Sequence, residues 1–176
     1  GVVLKPKIIE LDGIKSDITG FKENDLVKLN TPDRNKSIAQ AILDNQQKLN
    51  KIIVYVGAKQ HAVDLCGALK QSELSQYYES ISYVLGGEEN SRSQPRAEFF
   101  EQEKKYKRSI IINVQVLTEG YDDKRINAVV MAAPFKSKLT YMQCMGRAIR
   151  RNEEEPQKDA YVIELAAGSL PNIRYR

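Results

Sequence analysis

The sequence predicts an α/β fold, a three-layer sandwich with a mostly parallel central sheet, and three observations carry that reading. Five short apolar runs stand out, at Lys51–Val56, Ser80–Leu85, Ser109–Val114, Ile126–Ala132 and Ala160–Leu165. They are rich in Ile, Val and Tyr and lack polar alternation, as suits strands buried on both faces. Segments of helical spacing separate most of them, and the connections are short, so strand, helix and strand repeat as an open sheet with right-handed crossovers.

Taken in order, Val2–Leu11 supplies an edge strand, and residues 12–32 form a connecting stretch without a clear period. A helix over roughly Asp33–Leu49 docks against the first core strand. After that strand, Ala58–Leu69 places Ala62, Val63, Cys66 and Leu69 on one stripe. Beyond the second, Ser93 caps a helix with Pro95 near its first turn, and Ala97, Phe100 and Tyr106 form its buried side. Beyond the fourth, Leu139–Arg151 is strongly periodic and reads as one helix. The expected division is a connecting segment over 1–34, with its edge strand, and one domain over 35–176.

Composition narrows the chemistry. No apolar run approaches the roughly 18 residues of a membrane span, and no charged-then-apolar leader opens the chain, so an intracellular, cytoplasmic setting is expected. Cys66 and Cys144 lack metal-ligand spacing and read as reduced core thiols. His61 is the one histidine, and there is no tryptophan. That argues against histidine-based hydrolysis and against a multi-histidine metal centre; no metal ligand set is expected, and His61 reads as a helix-packing or surface residue. A net charge of +4 permits nucleic-acid binding without demanding it.

The chemistry concentrates between Ser109 and Arg151. In open parallel sheets, ligands bind beyond the carboxyl ends of the strands, and Gln115–Asp123 reads as the loop at such an end. Gly120 permits a tight turn there, and Glu119 and Asp122 bring carboxylates into it. On the helix that follows, Gln143, Arg147 and Arg150 fall on one stripe, while Met142, Met145 and Ile149 anchor another. Gly146 leaves room beside the two arginines for a close approach. A guanidinium donates in pairs to phosphate oxygens and stays charged at any relevant pH.

The run QCMGRAIRR resembles motif VI of the superfamily II helicases and translocases, and NVQVLTEGYD resembles their motif V, in the form found in restriction-type and UvrB-like members of the DEAD/DEAH-like group. KIIVYVGAKQHAVDL resembles motif IV with its following helix, and YVLGGEEN followed by Arg96 and Phe99–Phe100 resembles the stretch before motif V. The likeness covers about residues 35–165 and implies a second RecA-like domain, the C-terminal half of a P-loop NTPase motor. It implies that Arg150 is an arginine finger directed at the γ-phosphate of ATP, that Arg147 shares or supports that task, and that Gln143, Gly146, Gly120 and Asp122 lie near the nucleotide. Strand contacts fall to Gly57, Thr118, Arg92 and Arg96, with DNA favoured over RNA. Val114 stands where many members carry a threonine that touches the nucleic-acid backbone.

The sequence holds no G-x-x-x-x-G-K-[ST] phosphate loop and no Asp-Glu pair after a strand. ATP and Mg2+ are therefore expected to be held mainly by an N-terminal RecA-like domain of the same parent protein, and hydrolysis by this chain alone is left open. The competing expectation is a non-catalytic helicase-like module that binds DNA or a protein partner.

Overall fold

The computed structural model describes residues 4–11, 18, 20–85, 96–114 and 121–165. In chain order the elements are β1 (Lys7–Leu11), α1 (Glu23–Leu26), α2 (Pro32–Asp44), β2 (Lys51–Val56), α3 (Lys59–Gln71), β3 (Ser80–Val84), α4 (Arg96–Glu103), β4 (Ser109–Val114), β5 (Ala128–Met131), α5 (Lys138–Met145) and β6 (Tyr161–Leu165). The strands form one six-stranded sheet in the order β1-β6-β5-β2-β4-β3, and every pairing is parallel. The predicted α/β sandwich is the observed one.

Two apolar layers enclose that sheet. Ile52, Val54 and Val56 of β2 point to the face covered by α2 and α3, where Ile38, Ile42, Leu65 and Leu69 meet them. Ile53 and Tyr55 point the other way, towards Phe100, Tyr141 and Met145 of α4 and α5. With both faces covered, Ile52–Val56 have no solvent face that would call for a polar residue, and the whole strand is buried. The connections through α2 and α3 carry the chain one way along the sheet, and those on the opposite face carry it back. All therefore share one hand, as expected of parallel units.

Local chemistry sets the helix ends. Thr31 Oγ1 accepts from the Arg34 amide at 3.2 Å, and Pro32 occupies the first turn, so α2 starts there. The α3 N-terminus begins at Ala58, which has no capping side chain; Glu23 Oε1 reaches across to accept from the Lys59 amide at 3.2 Å. Ile18 and residues 20–31 thus do more than connect. Ile18, Leu26 and Leu29 are fully buried with Ala133, just beyond the carboxyl end of β5, and Leu26 lies over Gly57 at the carboxyl end of β2. Arg34, also fully buried, donates from Nη2 to the Ala132 carbonyl at 2.9 Å. The crevice between the ends of β2 and β5 is filled by the chain itself. Among the described residues, no helix is long and apolar enough to cross a membrane.

Candidate functional site

The helix expected over Leu139–Arg151 is shorter than its periodicity. α5 ends at Met145, and residues 146–149 continue as turn and bend. The Arg147 and Ala148 amides donate to the Cys144 and Met145 carbonyls at 3.3 and 3.0 Å, bonds three residues back that tighten the last turn. The apolar spacing runs on because Ala148 and Ile149 stay buried against the same layer. Arg147 and Arg150 therefore stand on a turn, not on a continuous helix. The anchoring stripe also differs: Tyr141, Cys144 and Met145 are buried, whereas Met142 is 37% exposed.

α5 itself is firmly held. Ser137 Oγ accepts from the Thr140 amide at 3.4 Å, Tyr55 donates its hydroxyl to the Cys144 carbonyl at 3.4 Å, and Tyr141 donates to the Glu164 carboxylate. Phe135 meets the Tyr141 and Tyr55 rings edge-on, with centroids 5.7 and 6.2 Å away. Cys66 and Cys144 are buried free thiols, and burial pushes the Cys144 thiol up to about 11. Gly146 keeps helical angles at φ −56° and ψ −21°.

The two arginines converge on one short stretch. Arg147 Nη1 donates to the Tyr121 carbonyl at 2.9 Å, and Arg150 Nη1 pairs with Asp122 Oδ1. That ion pair is solvent-facing, with side chains 40% and 60% exposed. Gln143 is exposed on α5, and Gly146 is half-buried beside the arginines.

This stretch does not lie at the carboxyl end of a strand, where sequence spacing put it. Asp123 Oδ2 is 3.1 Å from Nζ of Lys51, the first residue of β2, and the Asn127 amide donates to the Lys51 carbonyl at 3.1 Å. Between Val114 and Ala128 the chain returns from the carboxyl to the amino edge of the sheet, because a parallel β5 can start nowhere else. Asp122 is delivered to that amino edge together with the arginine turn.

Below the arginines lies a buried charged cluster with no signal in the sequence beyond a lysine opening an apolar run. Lys51 is 1% exposed and donates to the Glu103 and Tyr106 carbonyls at 2.9 and 2.7 Å as well as facing Asp123. Arg125 grips Asp123 through Nε and Nη2 at 3.0 and 2.8 Å and through its amide at 2.9 Å. Burial alone would raise the Asp123 carboxyl, but the Arg125 hydrogen bonds and the Lys51 ammonium outweigh it and hold it at about 2. Burial likewise lowers Lys51, against the pull of Asp123.

Gly57 is buried, and a Cβ there would stand 2.3–2.9 Å from Leu26 side-chain atoms, so its small size serves that packing. Gly120, Thr118 and Arg92 lie outside the described residues; Arg96 opens α4, and its side chain lies outside them too. His61 is fully buried between helices, its Nε2 2.8 Å from Asn35 Oδ1, and burial, followed by the Arg34 charge, lowers it to about 4. Among the described residues, no group of three or more His, Cys, Asp or Glu could hold a metal ion.

Comparison with known proteins fits this architecture. Among solved structures, a protein described as the HsdR subunit of a type I restriction enzyme from Vibrio vulnificus superposes with a TM-score of 0.67 at 23% identity, over 94% of this chain and 32% of that one. The type ISP restriction-modification enzyme LlaBIII, bound to DNA, gives 0.62 at 15% identity, over 94% and 12%. Domain 2 of the DEAD-box helicase Mss116p, bound to an RNA duplex, gives 0.59 at 16% identity, over 91% and 53%. The chain thus spans between about an eighth and about half of these proteins. A comparison with curated protein sequences gives no match. The model of the helicase conserved C-terminal domain matches residues 33–152, about two thirds of the sequence and the part that carries the arginine turn, so the chain belongs to the helicase conserved C-terminal domain family.

Proposed function

We propose that this chain is the second motor domain of an ATP-dependent nucleic-acid translocase or helicase, and that Arg150, with Arg147, is the part of it that faces ATP. The observation that supports this most is the convergence of both guanidiniums on Tyr121 and Asp122 at an exposed edge. Arg150 can exchange one half-exposed carboxylate for phosphate oxygens at little cost, since an exposed ion pair contributes at most about 1 kcal/mol. Its Nη donors would then offset the charge that develops on the γ-phosphate in transfer, the role that a finger supplied by a second lobe performs. Arg147, tied to the Tyr121 backbone, would hold the turn at the right depth. Asp122 would be freed to accept a hydrogen bond from the sugar, and Gln143 and Gly146 would line the closing surface.

The residues here fit ATP through donors alone. The phosphate loop and the Mg2+ carboxylates belong to a first domain outside this sequence, and ATP bound there supplies the energy for stepping. Because Arg150 reaches that site only when the two lobes close, hydrolysis is tied to domain movement. DNA is the favoured track, supported by the restriction-type structures, one of them bound to DNA; RNA is the second reading, supported by the RNA-bound DEAD-box domain. Thr118, Arg92 and Arg96 are the proposed strand contacts.

The test is Arg150→Ala in the intact protein, assayed for ATP hydrolysis with saturating duplex DNA and, separately, RNA. A fall in kcat of about 10³-fold is expected, with poor rescue by Arg150→Lys, because an ammonium cannot reproduce the fork. Unchanged hydrolysis by Arg150→Ala would leave the domain as a helicase-like module without a finger.

A further inference from the structure

Because Arg147 and Arg150 stand on a turn and not on a helix, something other than α5 must fix their backbone. From one side, the Leu4 amide donates to the Ile149 carbonyl at 2.8 Å. From below, buried Asn152 accepts from the Glu154 amide at 3.1 Å and folds residues 152–155 back on themselves. The third contact is of another kind. Lys158, two residues before the segment that enters β6, sends its ammonium to the Arg150 carbonyl at 2.6 Å and to the Lys124 carbonyl at 2.8 Å.

Those two carbonyls belong to the two stretches that the site must keep in register. One is the arginine turn. The other, residues 121–125, receives Arg147 at Tyr121 and Arg150 at Asp122. We propose that Lys158 is a positioning residue for the arginine site: its ammonium clips the Arg150 backbone to the Lys124 backbone and so fixes where the Arg150 guanidinium points. The proposal rests on the finger reading given above. Two short hydrogen bonds from one charged donor hold two backbones more closely than neutral contacts would, and a displacement of about 1 Å at a reacting centre can cost about 10²-fold in rate.

The clip is strong only while the amine is charged, since a neutral amine donates to carbonyls without the charge that makes such bonds short and firm. Lys158 is half-buried, at the edge of a cavity of about 250 Å3 that it shares with Leu4, Arg151, Glu153 and Glu155. Burial lowers its amine to about 8, with Glu155 and Asp123 opposing and the Arg150 guanidinium assisting. Arg151 and Glu153 are the other charged groups that face it across the cavity.

The experiment compares Lys158→Met, Lys158→Arg and Arg150→Ala in the intact protein, measuring nucleic-acid-stimulated ATP hydrolysis between pH 6.5 and 9.5, with thermal unfolding alongside. Lys158→Met is expected to lower kcat by about ten- to a hundredfold with KM for ATP within about twofold. In the unaltered protein kcat should fall above about pH 8, as the ammonium discharges. Lys158→Arg should lose that alkaline limb, because a guanidinium stays charged beyond about pH 12. Wild-type kcat in Lys158→Met beside an inactive Arg150→Ala would sink the clip and leave the finger standing. An alkaline limb that survives in Lys158→Arg, or a lowered unfolding temperature with an unaltered pH profile, would show Lys158 to be merely structural. An Arg150→Ala variant as active as wild type would remove the finger and this role with it.

Discussion

Removal of the Asp123 carboxylate exposes the buried cluster to its severest test. Asp123→Ala leaves the Lys51 ammonium 1% exposed, with two carbonyl acceptors and only the weaker field of the buried Glu103 carboxylate as counter-charge. Breaking a buried pair from one side costs about 3–5 kcal/mol. A ceiling comes from the alternative of discharging the amine: from an ordinary value of 10.5 down to pH 7, at about 1.4 kcal/mol per unit, the cost is about 5 kcal/mol. Arg125, a third exposed, returns to water and adds little. A loss of about 3–5 kcal/mol is therefore expected, measured by urea unfolding of the 176-residue chain at pH 7. With the carboxylate gone, the folded Lys51 amine drops further below its unfolded value, so the unfolded chain binds more protons and the stability of Asp123→Ala should rise between pH 7 and 9. Adding Lys51→Met removes the stranded charge and should recover part of the loss. A single variant within about 1 kcal/mol of wild type, or a double variant no better than the single, would show that Asp123 does not balance a buried Lys51 charge.

His61 is held at about 4 against 6.5 unfolded, so the stability it contributes is complete above about pH 6.5 and is lost as pH falls through 4; the span is about 3 kcal/mol, and His61→Gln should flatten it in urea titrations. A matching slope in both proteins between pH 6.5 and 4 would contradict this. Gly57→Val should destabilise by about 1–3 kcal/mol through collision with Leu26, and Leu26→Ala in the same chain should relieve part of that strain, as read in a double-mutant cycle. The purified 176-residue chain should show no ATP turnover above background; sustained turnover abolished by a substitution within it would overturn the two-lobe reading.

The parts legible from sequence are those where burial on both faces leaves its own mark. KIIVYV and SIIINV are strands over the residues expected, because no solvent face interrupts the apolar run. The arginine spacing correctly brought Arg147 and Arg150 to one place but overestimated the helix, since Ala148 and Ile149 keep the apolar rhythm after the hydrogen bonding has changed. The position of Asp122 was illegible. The return from β4 to β5 has no periodicity, and only the pairing of the strands shows which edge of the sheet it reaches. Lys51, Asp123 and Arg125 hid for another reason: charges opening a strand or filling a turn look solvated until their partners, up to 72 residues apart, are brought together. Lys158 hid likewise, since its acceptors are carbonyls, which any residue carries.

The seal over the ends of β2 and β5 changes what counts as a self-sufficient piece of this protein. The family match begins at residue 33, after Leu26 and Leu29. A chain trimmed to that boundary would uncover Gly57 and Ala133, strip the Glu23 carboxylate from the head of α3, and present fresh apolar surface at one rim of the sheet. Trimmed at residue 33, the domain should aggregate or bind other proteins indiscriminately; begun ahead of Ile18, it keeps its stopper. The stretch that joins the edge strand β1 to α2 is therefore also the cork of the domain.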